Sequence, residues 1–161
     1  MMNVEVDSTK AVARFNAMPQ KMHDTLLASV YKWMILMQNY IRNDKLSGQV
    51  LNARSHKLQQ SIQTEVEDGG TSIVGTVFSN NSLAPYNAIH EFGGVIPAHD
   101  IVASKAGALA FLWGGKQMLL KKVHIPDVTM PERSYMRSSL ADKREEIIAD
   151  IKQAAIDGAQ E

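Results

Sequence analysis

The run Leu58-Gln-Gln-Ser-Ile-Gln-Thr-Glu-Val-Glu-Asp-Gly-Gly-Thr-Ser-Ile-Val-Gly-Thr-Val-Phe-Ser79 decides the fold class. Leu58, Gln60, Ile62, Thr64 and Val66 alternate with Gln59, Ser61, Gln63 and Glu65, the two-residue period of a strand with one wet face. Asp68-Gly69-Gly70 supplies turn chemistry, and Ser72 to Ser79 returns as a second strand rich in β-branched residues. An antiparallel hairpin is predicted here, and the chain on both sides of it reads as helix.

From Gln20 to about Leu46 there is no proline or glycine, and Met22, Leu26, Val30, Trp33, Met37 and Ile41 recur at helical spacing. Such a helix is roughly 40 Å long at the standard rise. Its middle, Val30 to Met37, is apolar on nearly every side, so it needs cover on several faces, from its own sheet or from a neighbouring subunit. Ahead of it, Ser8 or Thr9 can cap a short helix through Met18, with Pro19 ending it or starting the next. A second long helix is expected from Pro131 or Glu132 to Asp157, with Met136, Leu140, Ile147, Ile151 and Ala154 along one side. Asp142 to Glu146 crosses its centre as a solvated face, Gly158 closes it, and residues 158–161 form a loose tail.

Between the hairpin and the last helix, Tyr86-Asn-Ala-Ile-His-Glu-Phe-Gly-Gly94 reads as a short helical turn. Ile89 and Phe92 can share one face, and Gly93-Gly94 stands where a helix end favours positive φ. Val95 to Ala103 is extended around Pro97, and Ser104 to Gly107 is a loop. Ala108 to Trp113, Gly114-Gly115-Lys116 and Gln117 to Ile125 read as strand, turn and strand. Pro126 and Pro131 bracket an irregular linker. The expected architecture is α+β: an antiparallel sheet of two hairpins packed against a long N-terminal helix and a long C-terminal helix. It is read as one domain over residues 1–161, with 1–19 as an N-terminal arm or short helix.

Composition narrows the function classes. The chain has 161 residues, with 17 Lys plus Arg against 17 Asp plus Glu, so its formal charge is zero. A balanced chain has no whole-molecule attraction for nucleic acid, although a local basic patch remains open. No cysteine is present, which removes disulfides and thiolate metal sites and suits a reducing interior. Residues 1–7 lack the basic-then-apolar pattern of a secretory signal. The densest apolar run, Val30 to Met37, contains Lys32 and falls far short of the about 20 residues a membrane helix needs.

Chemical motifs are fragmentary. His90-Glu91 begins like a zinc-protease helix, but Gly94 stands where the second histidine belongs. A small metal-dependent hydrolase using His90, Glu91 and His99, with Asp100 nearby, requires the intervening loop to fold back. Gly114-Gly115-Lys116 lacks the spacing and hydroxyl residue of a phosphate-binding loop, and no Gly-x-Ser-x-Gly elbow occurs. Trp33 and Trp113 lie in apolar runs as core or interface anchors. Two basic clusters, Arg54-Ser-His-Lys57 and Lys121-Lys122 with His124, suit either solvated loops and strand edges or a DNA contact. Arg133 and Arg137, four apart at the expected start of the last helix, oppose its dipole and so call for partners.

Four segments taken in order resemble the tail-completion and head–tail joining (neck) proteins of tailed bacteriophages. Leu51 to Ile62 is similar to that family's Arg-Thr-Gly-x-Leu-x-x-Ser-Ile lead into a first strand, with His56 standing where the family usually has glycine. Tyr86 to Gly94 resembles its Tyr-Ala-x-Ile-His-Glu-Phe-Gly signature. Ala108-Leu-Ala-Phe with Lys122-Val-His-Ile-Pro126 makes the third segment. Met130-Pro-Glu-Arg-Ser-Tyr-Met-Arg137 is similar to the Pro-x-Arg-Pro-Phe-Leu-Arg start of its last helix, with Ser134 at a common proline position. The resemblance covers about residues 51 to 140.

It implies a non-enzymatic minor tail component, without cofactor or metal, that forms a ring of six copies at the tail-tube end or neck. Implied partners are further copies of the chain, the tail-tube or tail-terminator protein, the head connector and head-closure proteins, and genomic DNA as a non-specific neighbour in the channel. A membrane is not among them. The implied location is the virion, and the host cytoplasm during assembly. On this reading the partner contacts fall to Trp33, Tyr86, His90, Glu91, Phe92, Arg133 and Arg137. A DNA-contacting neck module and the metal-dependent hydrolase are the alternatives.

Overall fold

The computed structural model describes residues 20–51, 55–104 and 107–159. The short helix expected before Pro19, Arg54 of the first basic cluster and the last two residues lie outside them. The chain divides into two compact units, one holding residues 1–87 with 134–161 and the other Ala88–Arg133. The mixed α+β class, the first hairpin and the two long helices are all present.

In the first unit, α1 spans Gln20–Tyr40 and continues as a π-helical turn over Ile41–Lys45. A short helix, α2 (Lys57–Ser61), leads into β1 (Ile62–Asp68), which pairs antiparallel with β2 (Ile73–Ser79) from Ile62 opposite Ser79 to Asp68 opposite Ile73. The last helix, numbered α4 in chain order, spans Met136–Ala159. α1 packs on both strands of the hairpin and along α4. The periodic residues Leu26, Trp33, Met37 and Ile41 are buried as their spacing requires. Val30 and Met34 are half-buried, against Gly75 of the hairpin, while Tyr31, Ile35 and Leu36 stay exposed.

The core gathers at the end of α1, where Ile41, Leu46, Leu51, Leu58, Ile62, Ala84 and Tyr135 cluster. The wider π turn, closed by Leu46 N–H donating to the Ile41 carbonyl, turns Ile41 and Leu46 to the same side. Lys45 is buried in the same turn, its amine 2.6 Å from the Asp142 carboxylate.

The two helices run antiparallel, joined by polar ties that advance along one as they retreat along the other. Thr25 donates to the Ala154 carbonyl (3.0 Å), and Ser29 and Trp33 donate to Asp150 Oδ2 at 2.7 and 2.9 Å. Tyr40 then donates to Asp142 (2.8 Å). At the far end Gly158 is buried against Met22 and Thr25.

Three expectations are corrected. The alternating segment before Ile62 is helical rather than extended: Leu58, Ser61 and Ile62 bury at i, i+3, i+4, and Arg42 collects the Gln59 and Ile62 carbonyls at 3.0 and 2.5 Å. The last helix begins at Met136, because the Arg133 N–H is held by the His90 carbonyl and Ser134 accepts from the Ser138 N–H. It also runs past Gly158, which is a contact point and no terminator; Leu140 lies exposed while Tyr135 and Ser139 take the buried face.

His56 precedes α2 with φ +56°, the left-handed region that costs an L-residue roughly 1 kcal/mol. His56→Gly should therefore leave stability unchanged or raise it by up to about 1 kcal/mol, the lost His56–Gln59 hydrogen bond and the freer unfolded chain opposing the relief. Urea denaturation of the pair measures it.

Near the start of α1, His23 Nε2 donates to Asp68 Oδ1 at the hairpin turn (3.0 Å). Hydrogen bonding to Asp68 holds the imidazole above its ordinary value, against partial burial, with Asp24 adding to the effect. Its contribution is complete below the ordinary histidine value of about 6.5 and is lost as pH rises through the raised value. The melting temperature should thus fall across that alkaline-side window, and His23→Gln should flatten the fall.

Candidate interaction surface

The second unit is built on one long, interrupted β-ribbon. The helix α3 (Asn87–Phe92) leads into β3 (Gly94–Ile96), β4 (His99–Val102) and β5 (Leu109–Trp113), and the chain returns as β6 (Lys116–Leu120), β7 (Lys122–Ile125) and β8 (Val128–Met130). The pairs are nested and antiparallel: β3 with β8, β4 with β7, β5 with β6. The stretch between Pro126 and Pro131, expected as an irregular linker, is therefore partly strand. Paired with β3, its backbone groups find partners that no local pattern announces. Among the described residues each ladder has two strands, so each strand keeps an edge without a strand partner.

The base of the ribbon is set by Gly93 and Gly94, with φ of +67° and +138°. A Cβ on Gly93 would come within 2.7 Å of the Glu132 nitrogen and 2.9 Å of the Met130 carbonyl. The returning backbone passes this close, and Arg133 N–H donates to the His90 carbonyl (2.9 Å) just beyond. The double glycine is thus needed twice, once for the helix end and once for the crossing.

At the far end, Gly114 and Gly115 both have positive φ, as a tight I′-type turn demands. The register places Trp113 opposite Lys116, Phe111 opposite Met118 and Leu109 opposite Leu120 on one face. Ala110 opposite Leu119 and Leu112 opposite Gln117 occupy the other. Both faces are therefore apolar, and both are open: Leu112 is 75% exposed, Trp113 74% and Leu119 65%. Further down, Ile101, Val102, Val95 and Val128 are exposed as well. A two-stranded ribbon is marginal alone in water, and an apolar surface of this extent marks a contact site.

The residues expected at partner contacts fall into two groups. Trp33 is 7% exposed with its indole bonded to Asp150, so of the roles left open it has the core one. Tyr86 packs half-buried against the core cluster, Glu91 is buried and His90 is half-buried. Phe92, Arg133 and Arg137 are exposed, Arg133 lying before α4 rather than on it. Sequence reading set Trp113 beside Trp33 and left Leu112 and Leu119 unmarked. The usable signal was local: Leu109 to Trp113 and Met118 to Leu120 are apolar at odd and even positions alike, so a strand has no wet face.

The other constellations are not assembled. Among the described residues no three His, Asp or Glu side chains converge to ligate a metal. His99 is exposed and its Nδ1 donates to the Pro97 carbonyl (3.0 Å). Burial, with Arg133 adding to it, pushes His90 below the ordinary histidine range, so it favours the neutral form. In the second basic cluster Asp100 meets both Lys122 (2.7 Å) and His124 (2.9 Å), which holds its carboxyl low and reduces the local positive charge. Compared with protein-family models, curated proteins and solved structures, the chain shows no significant match.

Proposed function

We propose that this chain is a structural, non-enzymatic assembly protein of a tailed-phage neck or tail, working as a ring that completes the tail and lets it join the head. The single observation that carries the reading is the ribbon: an arm apolar on both faces, open at its tip and along its edges, fits a surface supplied by another protein.

Two local findings support the resemblance on which the finer reading rests. His56, at the family's glycine position, adopts the left-handed backbone that glycine provides most easily. Gly93 and Gly94 of the signature segment both carry positive φ, and a side chain on Gly93 would strike the returning strand. Rings with a rotational axis need two different complementary patches, since a head-to-tail contact closes only when the rotation does.

Light scattering of the purified protein, followed by imaging, tests the proposal. A closed ring, or a monomer that closes into one when tail tubes are added, is the expected result. A protein that stays monomeric in both conditions, in particles that mature without it, would overturn the reading. Phe92→Glu, at a residue 56% exposed, should weaken assembly while leaving the circular dichroism spectrum unchanged.

A further inference from the structure

We infer that the ribbon turn around Trp113 is a plug, and that its socket is the groove between α1 and α4 of a second copy of this chain. The inference rests on the assembly reading above and specifies which surfaces meet. The plug is large enough. With an aromatic side chain presenting about 150–250 Å², Leu112, Trp113, Met118, Leu119 and Leu120 together offer on the order of 600 Å², most of the about 800 Å² that one side of a stable interface buries.

The first unit carries a matching receptacle. Its groove has a volume of about 290 Å³ and is lined in part by Trp33, Leu36, Asn39, Tyr40, Asp44 and Glu146. Leu36, 45% exposed, is the apolar side chain of α1 that stands open at its rim. Charge fits as well. From Gly107 to Lys121 the sequence has two lysines and no carboxylate, whereas the groove holds Asp44 and Glu146 against one cation, Lys143. Lys143 pairs with Glu146 (2.7 Å), which leaves Asp44 as the carboxylate that faces an incoming lysine. Lys116 stands opposite Trp113 in the ladder, so the indole and the ammonium approach from one face of the ribbon. The indole fills apolar space while the ammonium reaches Asp44.

A second copy suits the pair of surfaces better than tip-to-tip pairing. Two ribbons joined by their tips would cover Leu112 and Trp113 but leave the groove and Leu36 in water. Plug into socket covers both patches with one contact, and because the patches differ, the contact repeats head to tail around an axis.

The absence of cysteine makes the test clean. Leu36→Cys and Leu112→Cys, both at exposed positions, are made singly and together. The two single variants are co-expressed and treated with a short bismaleimide. A covalent dimer containing one of each, and a ladder of multimers from the double variant, are expected. Trp113→Ser should weaken self-association at least about tenfold, with the circular dichroism spectrum unchanged.

Leu112→Cys linking to itself would show tip-to-tip pairing and overturn the inference. A double variant that links only within one chain would overturn it too. Assembly by light scattering without any Leu36–Leu112 link would sink the plug while leaving the ring intact. No assembly at all would sink both.

Discussion

Gly158→Val is expected to pry α1 from α4 and cost about 3 kcal/mol, at the upper end of ordinary overpacking, which in a chain of this size lowers the melting temperature by roughly 10 °C. The reason is backbone proximity. A Cβ on Gly158 would land on Met22 Cα and on Thr25 Oγ1, well inside van der Waals contact, and a main-chain atom cannot rotate away. Gly158→Ala is the sharper control. Alanine favours a helix over glycine by about 1 kcal/mol, so an exposed site would gain stability. Here the clash should outweigh that gain and leave a net loss. A melting temperature that rises in the alanine variant would mean that the helices do not meet at this point.

Asp150→Ala is expected to be comparably damaging, at about 2–4 kcal/mol by urea denaturation, because one carboxylate satisfies three donors from α1. Ser29 Oγ and Trp33 Nε1 donate to Oδ2, and Lys32 Nζ lies 2.5 Å from Oδ1. Ser29 and Trp33 are buried, so removal of the acceptor leaves an indole N–H and a hydroxyl without a partner away from water. Asp150→Asn keeps the shape and one acceptor oxygen and should recover part of the loss.

The same clasp predicts acid sensitivity. Hydrogen bonding from Lys32, then from Ser29 and Trp33, holds the Asp150 carboxyl below its ordinary value. Its contribution is present above the ordinary carboxylate range and is lost as pH falls through the lowered value. The alanine variant should therefore lose less stability on acidification than the parent chain. Equal acid slopes in the two proteins would place the sensitivity elsewhere, with Asp142 the next group to test, held low mainly by Lys45.

Local patterns reported local structure well. The hairpin turn at Asp68–Gly70 is stabilised by Gly70 N–H donating to the Asp68 carboxylate, a bond made within three residues. Proline-free, apolar periodicity found α1, and the paired glycines found both the end of α3 and the ribbon turn. Where sequence reading went astray, a distant group intervened. Arg42, at the end of α1, draws carbonyls from the start of the next element and winds Lys57–Ser61 into a helical turn. The pairing of β3 with β8 made strand out of a segment bracketed by prolines.

The candidate site shows the same division. Tyr86 to Gly94 was legible as a helix with a glycine end, and its glycines have the backbone that this role requires. Which side chains face outward was not legible there: Glu91 is buried while Phe92 is exposed, the reverse of their polarity. Trp33 and Trp113 sit in similarly apolar runs, yet one is sealed by Asp150 and the other stands open at a ribbon tip.

The amino-acid sequence by itself determined the elements whose energetics are local: the long apolar helix, the first hairpin, the glycine-dependent turns and the neutral, cysteine-free composition. Tertiary structure alone decided which apolar residues are covered, where α4 begins and ends, and that the second hairpin is a two-stranded ribbon with two exposed apolar faces. Periodicity measures only how residues are spaced along one element. Burial depends on what another element brings to that face, and among the described residues Leu112, Trp113 and Leu119 at the ribbon tip stay exposed.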